Sequence, residues 1–192
     1  MIEYKAPETI AVKHGEKLKY LKDFSKPLQK TYRTGMYGGK FLPMHMGHLY
    51  CVDQASKLCD EVYLILFYGG FWEKLIRELN ERDIFSKESR WTQVLKVANL
   101  YDNVYPYFID VSNCITEDGR EDWDAETPLV LNICPKKFDA IFGSEPVMYA
   151  PYFERAYPWA DYVIVDDERK EVPISATEIR EMSKKEARKW IV

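Results

Sequence analysis

The clearest chemistry in this sequence lies in one glycine-rich stretch that carries two histidines. The stretch covers residues 34–48 and reads TGMYGGKFLPMHMGH. Gly38 and Gly39 leave the backbone bare, so a ligand can approach it closely. His45 and His48 fall where a helix is predicted to begin, and a helix N-terminus favours bound anions. The stretch therefore predicts a site for a polyphosphate.

Other residues of the stretch support this prediction, but two simpler interpretations stay open. Lys40 adds a full positive charge, and Gly47 lies between the two histidines. Histidines three residues apart could instead ligate a metal, although no third histidine, cysteine pair or acidic cluster lies nearby in the sequence. The Gly-Gly pair could also form an ordinary turn. The stretch matches neither the Walker loop nor the GxGxxG pattern.

A second candidate for phosphate binding lies near the C-terminus and reads ISATEIR over residues 174–180. Ser175 and Thr177 can cap a helix and turn their hydroxyl groups toward a phosphate. Arg180 follows one helical turn later and can bind two phosphate oxygens at once. Taken alone, the same pattern is also typical of a capped amphipathic helix on the surface.

Together the two segments resemble the signature of the HxGH nucleotidylyltransferase superfamily. Residues 39–48 resemble its GxFxPxHxGH motif, and residues 174–180 resemble its ISxTxIR motif. In that superfamily the histidines bind ATP or CTP phosphates rather than a metal. The resemblance implies catalytic roles for His45, His48, Arg180 and Lys40. It implies ATP binding by Gly38, Gly39, Lys40, Phe41, His45, Gly47, His48, Ser144, Ser175, Thr177 and Arg180.

Four shorter segments resemble nicotinamide-mononucleotide (NMN) adenylyltransferases, both the archaeal type and the adenylyltransferase domain of bifunctional bacterial NAD-synthesis proteins. They read SRW (89–91), EDW (121–123), DAIFGSEP (139–146) and VDDER (165–169). In those enzymes a tryptophan near this position stacks on the nicotinamide ring, which implies NMN binding by Asp122 and Trp123. An indole face attracts a cationic ring. An ordinary packed aromatic residue is the alternative for Trp123.

The resemblance implies transfer of the adenylyl group of ATP to NMN, which gives NAD and pyrophosphate. The 5′-phosphate of NMN is already nucleophilic at pH 7, so positioning and charge neutralisation are expected to suffice. Magnesium is expected to arrive mainly on ATP, with no metal site built from protein side chains. Two alternatives stay open: another transferase of the superfamily, acting on pantetheine phosphate, FMN, or choline or glycerol phosphate, and a non-catalytic nucleotide sensor. NMN and nicotinic acid mononucleotide both fit the motifs.

The elements that must position these residues alternate between short apolar runs and helical patterns, as in βαβ units. The sequence predicts strands at Val62–Tyr68, Asn103–Val111, Asp139–Phe142 and Tyr162–Val165. It predicts helices at Gly47–Cys59, Ser86–Tyr101, Ala150–Tyr157 and Ser175–Met182. The predicted fold is α/β: a Rossmann-like, doubly wound parallel sheet with helices on both faces. Such sheets bind ligands at the carboxyl ends of their strands, where the strand order reverses.

The first 33 residues are polar and rich in lysine. They are predicted to form an N-terminal extension with a short helix near Glu16–Phe24 and a linker, ahead of a nucleotidylyltransferase domain at residues 34–192. His14 is predicted to be a solvated surface residue. The polar and aromatic segment Gly69–Ser86 is a candidate lid.

The amino-acid composition argues against several classes of protein. The chain has 192 residues, of which 46% are hydrophobic and 30% charged, as in a globular protein. A net charge of −4 argues against nucleic-acid binding through a basic field. No apolar run approaches the roughly 20 residues of a membrane helix. Four cysteines without a CxxC pair, and an N-terminus unlike a signal peptide, favour a cytoplasmic protein. The expected partners are ATP and NMN. Members of the superfamily form closed homo-oligomers, so the resemblance also implies binding to a second copy of the chain.

Overall fold

The computed structural model describes residues 18–21, 28–79 and 83–192. Within these residues, six strands form one sheet in which every neighbouring pair is parallel. The strands are β1 (Leu18–Leu21), β2 (Tyr32–Gly39), β3 (Cys59–Tyr68), β4 (Val104–Asp110), β5 (Ala140–Gly143) and β6 (Asp161–Val165). Their order across the sheet is β1-β6-β5-β2-β3-β4. The chain therefore winds outward in both directions from β2, and the strand order reverses between β2 and β5.

Helices cover both faces of this sheet. They are α1 (Met46–Leu58), α2 (Phe71–Leu79), α3 (Lys87–Ala98), α4 (Trp123–Ile133), α5 (Pro146–Ala156), α6 (Ala176–Glu181) and α7 (Lys184–Ala187). Alternate residues of β3 join different cores: Val62, Leu64 and Leu66 pack with α1 and α3, whereas Tyr63 and Ile65 pack on the α4 and α5 side. A strand buried on both faces needs apolar residues at every position. The predicted α/β doubly wound class is confirmed.

Most predicted elements agree with the structure. Each predicted strand overlaps β3, β4, β5 or β6, and each of the four helices predicted after residue 33 overlaps α1, α3, α5 or α6. Strand β4, which contains Pro106, lies at one edge of the sheet, where a proline is tolerated. Helix α4 was not predicted, because Pro128 in its interior disfavours a helix. The candidate lid contains helix α2 and a 3₁₀ turn at Asp83–Phe85. No helix in the described ranges is long and apolar enough to cross a membrane.

The N-terminal segment differs from its prediction. Leu18–Leu21, inside the predicted helix near Glu16–Phe24, form strand β1, which pairs with β6. The prediction of a helix is therefore wrong for these four residues, because pairing with an apolar strand distant in sequence outweighs local pattern. The rest of that predicted helix, and His14, lie outside the described residues. Strand β2 begins at Tyr32, within the predicted extension.

Candidate active site

A cavity of about 880 Å³ opens at the carboxyl ends of the central strands. Gly38 and Gly39 at the end of β2, and Ser144 just after β5, line it. These strands flank the reversal of strand order, where the fold predicts a ligand. A Cβ on Gly38 would lie 2.4 Å from the ring of Phe67, and one on Gly39 would lie 2.8 Å from the ring of Phe41. Packing therefore favours glycine at both positions, and close approach of a ligand to their backbone stays a prediction.

The two imidazoles of the glycine-rich stretch are fixed by backbone N–H groups at the start of α1. The N–H of Gly47 donates to Nδ1 of His45 (3.1 Å), and the N–H of His45 donates to Nδ1 of His48 (3.2 Å). The ring centroids lie 3.7 Å apart. Because each Nδ1 accepts a hydrogen bond, a neutral ring carries its proton on Nε2. Each ring can therefore offer one N–H donor to a ligand oxygen.

Both histidines are held in the neutral state. Burial lowers the pKa of His45 to about 4, with Arg169 and Arg180 acting in the same direction against Glu178. Burial, His45 and Arg169 together lower the pKa of His48 well below its usual value. A neutral imidazole is a hydrogen-bond donor rather than a cation, so the positive charge beside the two histidines comes from Arg169 and Arg180.

A Cβ on Gly47 would lie 3.0 Å from the ring of His45, which explains why glycine separates the two histidines. The last residues of the chain hold the same loop. The N–H of Met46 donates to the carbonyl of Trp190 (2.9 Å), and His45 forms a β-bridge with Ile191. The histidine loop is thus fixed from the helix side and from the C-terminus.

The second segment reaches the same cavity, which His45, His48, Ser175, Thr177 and Arg180 all line. Arg180 donates through Nη1 to the carbonyl of Leu42 in the histidine loop (2.9 Å) and through Nη2 to the hydroxyl of Thr177 (2.8 Å). The two distant segments therefore converge. The hydroxyl of Ser175 is already engaged, since it donates to Glu178 Oε2 (2.5 Å) and caps α6.

Lys40 lines the cavity in an ion pair. Its Nζ lies 2.7 Å from Oε1 of Glu121 and donates to the carbonyl of Gly69 (2.9 Å). The fully buried Arg90 lies next to this contact and donates to the Lys40 carbonyl (2.8 Å) and to Glu73 Oε1 (2.7 Å). The other carboxylate oxygen of Glu73, Oε2, accepts the N–H of Gly69 (2.5 Å). A buried ion pair thus joins the loops that follow β2 and β3.

Trp123 lines the same cavity within a group of aromatic side chains. Its ring stacks on Tyr149 at 5.0 Å and meets Tyr152 edge-on at 5.2 Å. Its indole N–H donates to Glu121 Oε2 at 3.4 Å. Trp123 therefore combines a packing role with a position in the cavity wall.

Two residues of the predicted site are placed behind the cavity wall. Phe41 is buried and adopts a positive φ of 47°, and its ring meets that of His48 edge-on at 5.0 Å. Asp122 caps α4, where its carboxylate accepts the N–H of Ala125 (3.1 Å). These contacts position His48 and Trp123. Binding of ATP by Phe41 and of NMN by Asp122 stay predictions.

The cavity also contains four residues to which the sequence assigned no role: Glu121, Glu126, Tyr149 and Arg169. Arg169 belongs to the VDDER segment, where Asp166 adopts a positive φ of 51° and accepts the N–H groups of Lys170 and Val172 (2.7 and 3.0 Å). This turn resembles a known family segment, so its sequence was a usable signal. Glu126 and Tyr149 carry no local pattern that would mark them.

The sequence pattern of the Cytidylyltransferase-like family matches residues 36–182. The chain belongs to this family. The match spans the histidine loop and the ISATEIR segment, which confirms the resemblance to the nucleotidylyltransferase superfamily.

Individual members of the superfamily are similar to the chain as well. The trifunctional NAD biosynthesis/regulator protein NadR of Escherichia coli (strain K12) is 28% identical over 168 residues, which cover 81% of this chain and 38% of NadR. NadR of Salmonella typhimurium is 26% identical over 163 residues, which cover 80% of this chain and 37% of NadR. The chain thus spans less than two fifths of the length of these curated relatives.

Solved structures support the fold. A NadR structure in complex with NAD and AMP-PNP aligns with a TM-score of 0.60 at 21% identity, over 85% of this chain and 45% of that one. A bifunctional NMN adenylyltransferase/ADP ribose pyrophosphatase from Francisella tularensis aligns with a TM-score of 0.56 at 23% identity, over 79% of this chain and 42% of that one. Another structure of that protein, complexed with AMP and a Mn ion, aligns with a TM-score of 0.52 at 22% identity, over 79% and 41% of the two chains.

Proposed function

We propose that this nucleotidyltransferase transfers the adenylyl group of ATP to NMN, giving NAD and pyrophosphate. The observation that carries the proposal is the convergence of two kinds of surface on one cavity. His45, His48 and Arg180 offer donors suited to phosphates, while Trp123 and Glu121 form an acidic aromatic wall suited to a cationic ring. The similarity to NadR and to an NMN adenylyltransferase supports the same assignment.

The chemistry follows from the donors in the cavity. An oxygen of the NMN 5′-phosphate attacks the α-phosphorus of ATP, a P–O bond forms, and the bond from that phosphorus to the β-phosphate oxygen breaks. The Nε2–H groups of His45 and His48 donate to the oxygens that gain charge in the transition state. Arg180 neutralises the leaving pyrophosphate, whereas Lys40 is paired with Glu121, and its catalytic role stays a prediction. Thr177 keeps its hydroxyl proton free to donate, since its oxygen accepts from Arg180.

Magnesium belongs to this proposal as part of the MgATP substrate. Among the described residues, no group of three or more His, Cys, Asp and Glu side chains is arranged to hold a metal ion. Mg²⁺ usually keeps several waters and binds through phosphates. No step of the reaction is therefore assigned to a metal held by the protein.

The test is an acceptor panel. Each mixture contains the protein, MgATP and one acceptor: NMN, nicotinic acid mononucleotide, pantetheine phosphate or FMN. Choline phosphate and glycerol phosphate are tested with CTP in place of MgATP. Pyrophosphate release is measured in every mixture. NAD formed from NMN, identified by mass, is the expected product. Turnover with pantetheine phosphate or FMN alone would replace the proposal by another activity of the superfamily, and nucleotide binding without any turnover would make the protein a sensor.

A further inference from the structure

The aromatic part of the cavity is acidic. Glu126 lies one helical turn after Trp123 on α4, and both side chains line the cavity with Glu121. Tyr149 and Tyr152 complete the aromatic group. The residues that suit phosphates and the residues that suit a flat ring are thus separate sets within one cavity.

A count of charges around Trp123 leaves one carboxylate without compensation. The charge of Lys40 is taken by Glu121 at 2.7 Å. Arg120, on the exposed rim of the cavity, is paired with Asp118 at 2.7 Å. Within the described ranges, no hydrogen bond or ion pair is found for the carboxylate of Glu126. The aromatic part of the cavity therefore carries a net negative charge when Glu126 is ionised.

We propose that Glu126, supported by Glu121, makes the site select a pyridine ring that bears an uncharged carboxamide over one that bears a carboxylate. The inference rests on the proposed function and names its acceptor more closely. Both mononucleotides carry a cationic ring, which an acidic wall attracts. Only nicotinic acid mononucleotide brings a carboxylate of its own close to Glu126, where like charges repel. A carboxamide N–H can instead donate to Glu126.

The titration of Glu126 gives this selectivity a pH dependence. Burial raises the pKa of Glu126 to about 7, with Glu121 and Asp122 acting in the same direction and Lys40 opposing them. The other titratable groups that face it are Cys114 and Tyr152, which are neutral near pH 7. Glu126 is therefore mostly ionised at pH 8 and mostly protonated at pH 6. The preference for the carboxamide should rise between these values.

The experiment compares kcat/KM for NMN and for nicotinic acid mononucleotide at pH 8, with MgATP, in the wild type and in Glu126→Gln. We expect the wild type to favour NMN by at least about tenfold, which corresponds to about 1.4 kcal/mol. Glu126→Gln should lower this ratio at least about fivefold, mainly by improving use of nicotinic acid mononucleotide. Glu154→Gln, which removes an exposed carboxylate on α5 outside the cavity lining, should leave the ratio unchanged.

A binding measurement separates this inference from the proposed function. Quenching of tryptophan fluorescence by each mononucleotide reports affinity without turnover. If neither acceptor is adenylylated but NMN binds more tightly in the wild type and loses that advantage in Glu126→Gln, the selectivity holds and the proposed function fails. If adenylyl transfer occurs and the wild type uses both acceptors equally, or Glu126→Gln changes both alike, the selectivity is wrong and the function stands. Binding of neither overturns the selectivity.

Discussion

Replacing Glu126 by glutamine should stabilise the protein at pH 8 and change its stability little at pH 5. Glutamine keeps the shape and hydrogen-bonding capacity of the protonated side chain but cannot ionise. Burial raises the pKa of Glu126 from its ordinary value of 4.5 to about 7. The folded state therefore disfavours the ionised form, and it loses stability as the pH rises from about 4.5 to about 7.

The size of the effect follows from this difference in pKa. Each unit corresponds to about 1.36 kcal/mol, so ionised Glu126 costs the folded state about 3 kcal/mol at most. Partial exposure of the side chain reduces this figure to about 2–3 kcal/mol. At pH 5 the cost falls below about 1 kcal/mol, because the group is then largely protonated in the folded state. For a chain of this size the gain at pH 8 corresponds to roughly 4–12 °C in melting temperature.

Urea denaturation followed by circular dichroism at pH 5 and pH 8 would measure both differences. Glu154→Gln is the matched control, since it removes a solvent-exposed carboxylate on the neighbouring helix α5. It should change stability by less than about 0.5 kcal/mol at either pH. A gain for Glu126→Gln that is equal at the two pH values, or no gain at pH 8, would refute the assignment of a buried, uncompensated carboxylate.

Three further predictions test the site itself. His48→Ala should lower kcat by about 100- to 1000-fold with native circular dichroism, because it removes a donor to the transition state; a kcat above half the wild-type value would refute that role. NMR titration should show the rings of His45 and His48 neutral from pH 8 to pH 5.5, since the pKa of His45 is about 4 and that of His48 is also lowered; protonation of either ring near pH 6.5 would contradict this. Arg90→Met should destabilise the protein by about 3–5 kcal/mol in urea denaturation, because it leaves buried Glu73 with only the more distant Arg77 (3.8 Å) as an ionic partner. Arg90→Met combined with Glu73→Leu should recover part of the loss, and a single-variant cost below about 1 kcal/mol would show that the pair matters little.

The convergence of the two motifs could be predicted from the sequence because the fold leaves it little freedom. Parallel strands end at the same edge of a sheet, so loops that follow β2, β5 and β6 face one another. The histidine loop follows β2, Ser144 follows β5, and the ISATEIR segment comes after β6. Segments that follow different strands in the sequence therefore meet at one edge of the sheet and line the same cavity.

Other features depend on contacts between distant residues and left no local trace. The four residues of β1 form a strand because β6 offers them a parallel partner. Glu126 lines the cavity because helix α4 places it on the same side as Trp123. Helix α4 itself is hard to predict from the sequence, since Pro128 lies in its interior. The pairing of Lys40 with Glu121 joins positions that are 81 residues apart. A single sequence carries no signal for such pairs.

The contact between the C-terminus and the histidine loop has a practical consequence. Met46 and His45 are tied to Trp190 and Ile191 by main-chain pairing, beyond the segment that the family pattern matches. Deletion of residues 190–192 would remove this main-chain pairing and leave every strand of the sheet in place. Because Trp190, Ile191 and Val192 also pack against the core on the α1 side, this deletion should both loosen the histidine loop and lower the melting temperature.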